Sequence, residues 1–305
     1  MRFGTTSLLV TTMTAPAAEI ERALRDAAEW IAAPPERAAR LLGVHLEGPY
    51  INPGKLGAQP PCARPGVIAE VEALLALAPI RLLTLAPELS GHAELIRHLD
   101  GRGVRVQMGH SLGSYEEGVA GLAHGARGFT HLFNAMSGLH HRKPGMVGAA
   151  LAHAEYAEII PDLLHVHPGA IRAALRCIPR LYAVTDSTAA AGMPDGEYRL
   201  GAQRVTKCLG GVRLADGTLA GSTLTMDQAL RNLVAIGLDL ADAAQRLSRF
   251  PAEFLGEHEI GRLAPGAHAD VAVMSADLDL DAVYVGGECV HRRDAAPTAE
   301  TDPCR

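Results

Sequence analysis

The stretch GVHLEGPYINPGKLGAQPP, residues 43–61, places a carboxylate at the point where an apolar run gives way to a loop. The run ends on Glu47, and Gly48 and Pro49 then stop the strand and begin a loop rich in glycine and proline. A carboxylate at the end of a buried strand is costly unless other groups compensate it. Which groups reach Glu47 depends on how the rest of the chain folds.

Short apolar runs alternate with amphipathic segments on both sides of this stretch. In PAAEIERALRDAAEWIAA, residues 16–33, the apolar positions recur at spacings of three and four, which predicts a helix. Near-continuous apolar strands separated by helices are typical of an α/β fold whose parallel sheet is covered on both faces. About seven such units favour a (β/α) barrel over an open sheet. The strand-like runs are TSLLVTTM, RLLGVHLE, IRLLTLAPE, VRVQMGHS, RGFTHLFN, AEIIPDLLHV and LYAVTDS.

A change of pattern after residue 186 sets the predicted domain boundaries. Residues 1–255 are predicted to form the barrel, with short antiparallel strands and Asp-Gly turns inserted near 197–221. Residues 256–294 are predicted to be strands of a small β-sandwich, and residues 295–305 a disordered tail.

Composition restricts the classes of function. The chain has 305 residues, of which 48% are hydrophobic and 20% charged, and its formal net charge is -6. This balance argues against a nucleic-acid binder, which would present a basic face. No apolar run reaches about 18 residues, so we expect no membrane span. The five scattered cysteines form no CxxC pair, which argues against a disulfide framework and favours reduced thiols in the cytoplasm.

The carboxyl ends of the predicted strands carry titratable residues. In a (β/α) barrel these ends converge on one mouth, so side chains far apart in sequence meet there. Chance can place one or two such residues at strand ends, but six indicate a site. They are Glu47, Glu88, His110, His131, His165 and Asp186. Among them, Glu88 suits a structural role as well as a functional one.

Three of these residues, Glu47, His110 and His131, indicate a metal site. One carboxylate and two imidazoles form a recognised zinc set with room for water, and Fe, Co and Mn accept the same ligands. We expect one divalent cation, with Zn favoured, which would lower the pKa of its water toward ~7. Asp186 is the candidate general base and later general acid. His165 is a candidate for orienting the substrate or polarising its carbonyl.

Two loops suit an anionic group. THLFNAM presents Asn134 and the Ala135 amide just after a ligand strand, at the predicted start of a helix, and amides there favour phosphate. The loop HHRKPG offers Arg142, whose guanidinium fork suits phosphate or carboxylate, although an ordinary surface charge fits as well.

Over nearly its whole length the chain resembles the N-acetylglucosamine-6-phosphate deacetylase family of the amidohydrolase superfamily. The motifs that carry the resemblance are GVHLEGPYINPGKLGAQPP, LAPE, GHS, THLFNAM, HRKPG, DLLHVHP, VTDSTAAAG, LAGSTLTMDQALRN and IGRLAPGAHADVAVM. The resemblance implies a (β/α)8 TIM-type barrel and release of acetate from N-acetylglucosamine 6-phosphate, leaving glucosamine 6-phosphate. It also implies a homodimer in which Arg142 serves the neighbouring subunit.

The resemblance extends to individual site residues. It implies Glu47, His110 and His131 as metal ligands and Asp186 as the catalytic acid and base. The implied substrate contacts are Ala58, Gln59, Asn134, Ala135, Arg142, His165, Leu219, Ala220 and Gly221.

The chain also departs from the family pattern. Its seven predicted strands correspond to the family's strands two to eight, so the first barrel strand is missing and the sandwich is a remnant. Leu163 stands in PDLLH where the family usually has glycine. An upstream start site is one explanation. The other is a truncated, inactive or weakly active homologue that binds sugar phosphate.

A cyclic amide hydrolase of the dihydroorotase type is a further alternative. Such sites usually carry two metals bridged by a modified lysine. Lys55 and Lys143 lie in loops and no lysine ends a predicted strand, which weakens this alternative.

Overall fold

Seven parallel strands alternate with helices in the first two thirds of the chain. The computed structural model describes residues 1–293. The strands are β1 (Ser7–Thr12), β2 (Arg40–Glu47), β3 (Ile80–Leu85), β4 (Arg105–Met108), β5 (Gly128–Phe129), β6 (Tyr156–Ile159) and β7 (Arg180–Ala183). The helices between them are α1 (Ala17–Ala32), α2 (Ile68–Leu75), α3 (His92–Gly101), α4 (Tyr115–His124), α5 (Gly145–His153) and α6 (Pro168–Cys177), with a 3-10 turn at Pro53–Lys55. The predicted α/β class and all seven parallel strands are confirmed.

The strands follow one another in chain order around the wall of the barrel. Strands β1 to β5 form one parallel sheet, and β6 pairs in parallel with β7. The Leu132 amide donates to the Glu158 carbonyl at 2.8 Å, which links the chain after β5 to β6. Within residues 1–293, β1 pairs only with β2, and β7 only with β6. Residues of β1 and β7 line the same cavity.

Helix α1 shows how the sequence produces this layering. Its residues Ile20, Leu24 and Ala27 are spaced by four and three positions, so they share one face, and all three are buried. They belong to one core cluster with Val44 and Leu46 of β2. Burying a large aliphatic side chain contributes about 1.5–3 kcal/mol, so this face holds α1 against the sheet.

Two antiparallel sheets and a helical segment complete the described chain. Strands β8 (Gly196–Leu200), β9 (Gln203–Cys208) and β10 (Gly211–Arg213) form one sheet, and β11 (Val271–Met274), β12 (Leu280–Val285) and β13 (Glu288–Arg292) form the other. Helices α7 (Met226–Ala235), α8 (Leu240–Leu247) and α9 (Arg249–Leu255) lie between the sheets in sequence. The domain boundaries stay predictions, and the predicted tail at 295–305 lies outside the described residues. Among residues 1–293, no helix has the length and apolarity needed to cross a bilayer.

Candidate active site

The strand ends bring four predicted site residues to one cavity. Glu47 is the last residue of β2, whereas His110, His131 and Asp186 follow β4, β5 and β7 by two or three residues. All four line a cavity with a volume of about 1630 Å³. The φ angles of His110, His131 and Asp186 are +49°, +31° and +49°, in the left-handed region that non-glycine residues rarely adopt. Such conformations cluster at functional sites, where the surrounding structure must hold them.

The three candidate ligands have the geometry of a metal site. His110 Nε2 lies 3.0 Å from His131 Nε2, and Glu47 Oε1 lies 3.1 Å from the first nitrogen and 3.6 Å from the second. A circle through three points with these separations has a radius of about 1.9 Å, so all three donors could reach one cation at the ~2.0–2.2 Å that zinc requires. The donor set therefore fits one divalent cation.

The neighbours of the two imidazoles agree with this arrangement. His110 Nδ1 lies 2.8 Å from the Lys55 carbonyl, which can only accept, so Nδ1 carries the proton and Nε2 offers its lone pair to the cluster. Metal-binding histidines are commonly oriented in this way by a second hydrogen bond. His131 Nδ1 is buried and has no hydrogen-bond partner among the described residues.

The pKa values of His131 and Glu47 are shifted in opposite directions. Burial alone lowers the pKa of His131, but the hydrogen bond and charge of Glu47 outweigh burial and raise this pKa to about 9. Burial alone would raise the pKa of Glu47, yet the imidazoles of His110 and His131 beside it leave it well below its usual value. A cation that takes these three ligands must therefore displace a proton from His131.

Gln59 is committed to holding Glu47. Its Nε2 donates to Glu47 Oε1 at 3.0 Å, and its Oε1 accepts from the Thr14 amide at 2.7 Å. The side chain lines the cavity, but both ends of its amide have partners inside the protein. This geometry favours a positioning role over the direct substrate contact that the resemblance implies.

Glu88 joins two loops beside the cluster. Its carboxylate accepts from Asn52 Nδ2 at 2.9 Å, from Ser111 Oγ at 2.7 Å and from the Leu112 amide at 2.8 Å. These donors lie in the loop after β2 and directly after His110. Of the two roles that the sequence left open for Glu88, these contacts favour the structural one.

Asp186 has the environment of a proton carrier. Burial raises its pKa to about 6, and the negative charge of Glu47 acts in the same direction. Its main-chain carbonyl accepts from the Ser222 amide at 2.7 Å, next to Gly221, which has φ +61°. A carboxyl group with a pKa near neutrality is suited to accept and return a proton.

His165 lies beyond the end of its strand and is held by Asp162. Strand β6 ends at Ile159, so His165 is in the loop before α6 rather than at a strand end. Its Nδ1 is 2.6 Å from Asp162 Oδ2, and its amide donates to Asp162 Oδ1 at 2.8 Å. Leu163, which replaces the family's usual glycine, has φ +65°, so a leucine occupies the conformation that glycine favours.

The predicted phosphate loop is a turn, not the start of a helix. Residues 130–135 form turns, and α5 begins only at Gly145. Phe133 and Ala135 have φ +80° and +50°, which interrupt a helix, so the prediction of a helix start at Asn134 was wrong. Asn134 and Ala135 nevertheless line the cavity.

The remaining predicted contacts fall into two groups. Ala58, Leu219 and Gly221 line the cavity together with His165. Ala220 is fully buried in a small apolar cluster beside β10, and Arg142 is exposed, with Nη1 2.7 Å from His141 Nε2. Neither residue lines the cavity within this chain.

One buried carboxylate at the site was missed from sequence. Glu158 lies within β6, lines the cavity, and has a pKa that burial raises to about 7. The available signal was a charged residue inside the apolar run YAEII, where an inward-facing carboxylate needs a partner.

Fold and cluster together define a class: barrel proteins with a candidate catalytic metal site at the carboxyl ends of the strands. The model of the amidohydrolase family matches residues 2–290. The chain belongs to the amidohydrolase family.

Curated relatives narrow the comparison within the family. The chain is 41% identical over 297 residues to N-acetylgalactosamine-6-phosphate deacetylase of Escherichia coli O157:H7, covering 94% of this chain and 78% of that protein. It is 40% identical over 304 residues to N-acetylglucosamine-6-phosphate deacetylase of Vibrio furnissii, covering 97% and 76%.

Solved structures of N-acetylglucosamine-6-phosphate deacetylases are also similar to this chain. The crystal structure of N-acetylglucosamine-6-phosphate deacetylase from Thermotoga maritima matches with a TM-score of 0.90 at 34% identity, covering 96% of this chain and 80% of that one. An aspartate-to-alanine mutant of the Mycobacterium smegmatis enzyme, in complex with N-acetyl-D-glucosamine-6-phosphate, matches with a TM-score of 0.88 at 34% identity, covering 94% and 77%.

Proposed function

We propose that this chain hydrolyses the acetamide of N-acetylglucosamine 6-phosphate to glucosamine 6-phosphate and acetate. The observation that carries the proposal is the triangle of Glu47, His110 and His131, with Asp186 lining the same cavity. The names of the relatives supply the substrate class, an N-acetylated hexosamine 6-phosphate.

Each residue of the site has a separate role in the proposed hydrolysis. Glu47, His110 and His131 would hold a divalent cation, which would act as a Lewis acid and lower the pKa of a water toward ~7. Asp186 removes a proton from the attacking water and returns it to the amine nitrogen as the carbon–nitrogen bond breaks, so acetate keeps the water oxygen. His165, fixed through Nδ1 by Asp162, directs Nε2 to the substrate. Gln59 keeps Glu47 in place.

We infer Zn as the cation because one carboxylate and two neutral imidazoles are borderline donors at zinc distances. A single ion accounts for the three ligands of the cluster. The dihydroorotase alternative has little support, since Lys55 presents its carbonyl to His110 and Lys143 lies in an exposed loop.

The phosphate contacts are proposed to come from two copies of the chain. Asn134 and the Ala135 amide lie at the cavity, whereas Arg142 is exposed and lines no part of it within its own chain. A homodimer that brings the partner's guanidinium to the cavity reconciles this placement with the proposed role.

The cysteines described are all unpaired, which supports a reducing, cytoplasmic location.

Acetate release tests the proposal. Zn-loaded protein should release acetate from N-acetylglucosamine 6-phosphate, and much less from the same sugar without its phosphate. N-acetylgalactosamine 6-phosphate, run in parallel, decides between the two substrates that the relatives' names suggest. Asp186→Asn should retain its Zn and lose turnover by about 10²-fold or more. Protein with one Zn per chain and no deacetylase activity on either phosphorylated sugar would refute the proposal.

A further inference from the structure

A chain of buried side-chain hydrogen bonds lies beneath the candidate metal ligands. It begins at His45 on β2, whose Nε2 lies 2.8 Å from Thr84 Oγ1 on β3, and Thr84 Oγ1 lies 2.7 Å from Thr130 Oγ1 after β5. Thr130 Oγ1 donates to Gln107 Oε1 on β4 at 3.2 Å. All four residues are buried.

The chain continues from Gln107 to the missed carboxylate. Gln107 Nε2 donates to the Tyr182 hydroxyl on β7 at 2.7 Å, and this hydroxyl donates to Glu158 Oε1 at 3.2 Å. The other carboxylate oxygen, Glu158 Oε2, accepts from the main-chain amide of His131 at 3.3 Å. The network therefore crosses from β2 to β7 and ends on the backbone of a candidate ligand.

When Glu158 is ionised, its carboxylate fixes the direction of every bond. A carboxylate can only accept, so the single proton of Tyr182 points to Glu158, and Tyr182 must accept from the Gln107 amide. Gln107 Oε1 then accepts from Thr130 Oγ1. Thr130 has donated its only proton in this bond, so it must accept from Thr84 Oγ1. Thr84 has no proton left for His45, so His45 must donate through Nε2.

We propose that Glu158 is a positioning residue for His131, held in its orientation by this one-way hydrogen-bond chain from His45. His131 has φ +31°, and its main-chain amide donates to Glu158 Oε2 while its imidazole meets Glu47 and His110. Removing the Tyr182 hydroxyl frees the carboxylate to turn, which loosens the backbone of His131 and moves its Nε2 out of the triangle. The inference rests on the proposed metal site, not on the identity of the sugar.

Zn affinity measured by chelator competition tests the proposal without any turnover assay. Outer partners of metal ligands typically account for about 10–100-fold in affinity, so Tyr182→Phe should weaken Zn binding about tenfold and Glu158→Leu more. Tyr156→Phe is the matched control: Tyr156 also packs on Phe254, and its hydroxyl accepts from Arg180 Nη1 at 2.9 Å, outside the chain. Equal Zn affinities for Tyr182→Phe and Tyr156→Phe would overturn the proposal. If Glu158→Leu does not fold, this pair of tyrosine variants decides.

The tautomer of His45 provides an independent readout. At about pH 9, where Glu158 is ionised, nitrogen-15 NMR of histidine-labelled protein, with His45→Gln to assign the signal, should show a neutral ring protonated at Nε2. A merely structural cavity-filling role for Glu158 sets no direction and no tautomer. A ring protonated at Nδ1 would mean that the chain runs the other way and would refute the assignment. A native protein that takes up no Zn would refute the proposed function, whereas a native protein that binds Zn no more tightly than Tyr182→Phe would refute this inference alone.

Discussion

Replacing Asp162 by Asn tests how firmly the structure holds His165. Asp162 Oδ1 accepts from the amides of Leu164 at 2.9 Å and His165 at 2.8 Å, and Oδ2 pairs with His165 Nδ1 at 2.6 Å. The two side chains are only 8% and 7% exposed, so solvent screens them little. Asparagine keeps one oxygen for the two amides but turns an NH2 group toward the Nδ1 proton. The variant therefore loses one hydrogen bond to a charged group.

The expected cost follows from that loss. A hydrogen bond to a charged group contributes about 1.5–3 kcal/mol, so the free energy of unfolding at pH 7 should fall by about 2 kcal/mol. Burial alone raises the pKa of Asp162, but hydrogen bonds from His165 and the main chain outweigh it and lower this pKa from its ordinary 3.8. The stabilisation is therefore complete above the ordinary pKa and is lost as the pH falls through the lowered one.

Urea unfolding provides the measurement. The difference between native protein and Asp162→Asn should be constant from pH 7 to 5 and shrink below about pH 4. Asp239→Asn is the matched control because Asp239 caps α8 through the Ala241 amide at 2.9 Å, and asparagine caps about as well. Because His165 loses its support in Asp162→Asn, kcat/KM should also fall about tenfold, while the amount of bound Zn stays unchanged. A stability difference no larger than that of the control, or one that persists undiminished at pH 3, would refute the reasoning.

Three further predictions concern the cluster and its neighbours. In Gly221→Ala, with φ +61°, the new Cβ would lie 2.6 Å from Thr188 Cγ2 and 2.9 Å from the Asp186 carbonyl, so thermal melting should show a loss of about 1–3 kcal/mol and kcat should fall; unchanged melting and kcat would contradict this. Zn binding at pH 7.5 should release about one proton, because the pKa of His131 is about 9. Calorimetry in two buffers of different ionisation enthalpy measures this release, and zero release would contradict a protonated His131. As the pH falls, kcat/KM should decline with an apparent pKa of about 6 or below, because Asp186 takes up a proton. A flat profile down to pH 4 would exclude Asp186 as the base.

Much of the fold could be predicted because the parallel strands after β1 are largely buried. Such strands appear as short apolar runs whatever their neighbours, and helices such as α1 keep their three-and-four spacing. The parallel topology then places strand ends together, which is why Glu47, His110 and His131 could be grouped before any distance was known. Their grouping needed only the chain order of the strands.

Details that depend on local backbone conformation were beyond the sequence. The turn at Phe133 and Ala135 uses left-handed backbone without glycine, so composition gave no signal against a helix. Glu158 was hidden because its partners, the Tyr182 hydroxyl and the His131 amide, come from other segments of the chain. Arg142 illustrates a third limit, since its predicted role depends on a second copy of the chain.

Each candidate ligand is held by a group outside its own strand. Glu47 is held by Gln59 from the loop after its own strand, His110 by the Lys55 carbonyl from that same loop, and His131 by Glu158 from the next strand. The loop that follows Glu47 therefore fixes two of the three ligands, while the barrel interior fixes the third. The three donor atoms already lie 3.0–3.6 Å from one another, so they could hold a cation with little rearrangement. Little of the cation's binding free energy would then be lost to rearrangement, which is the advantage of a preorganised site.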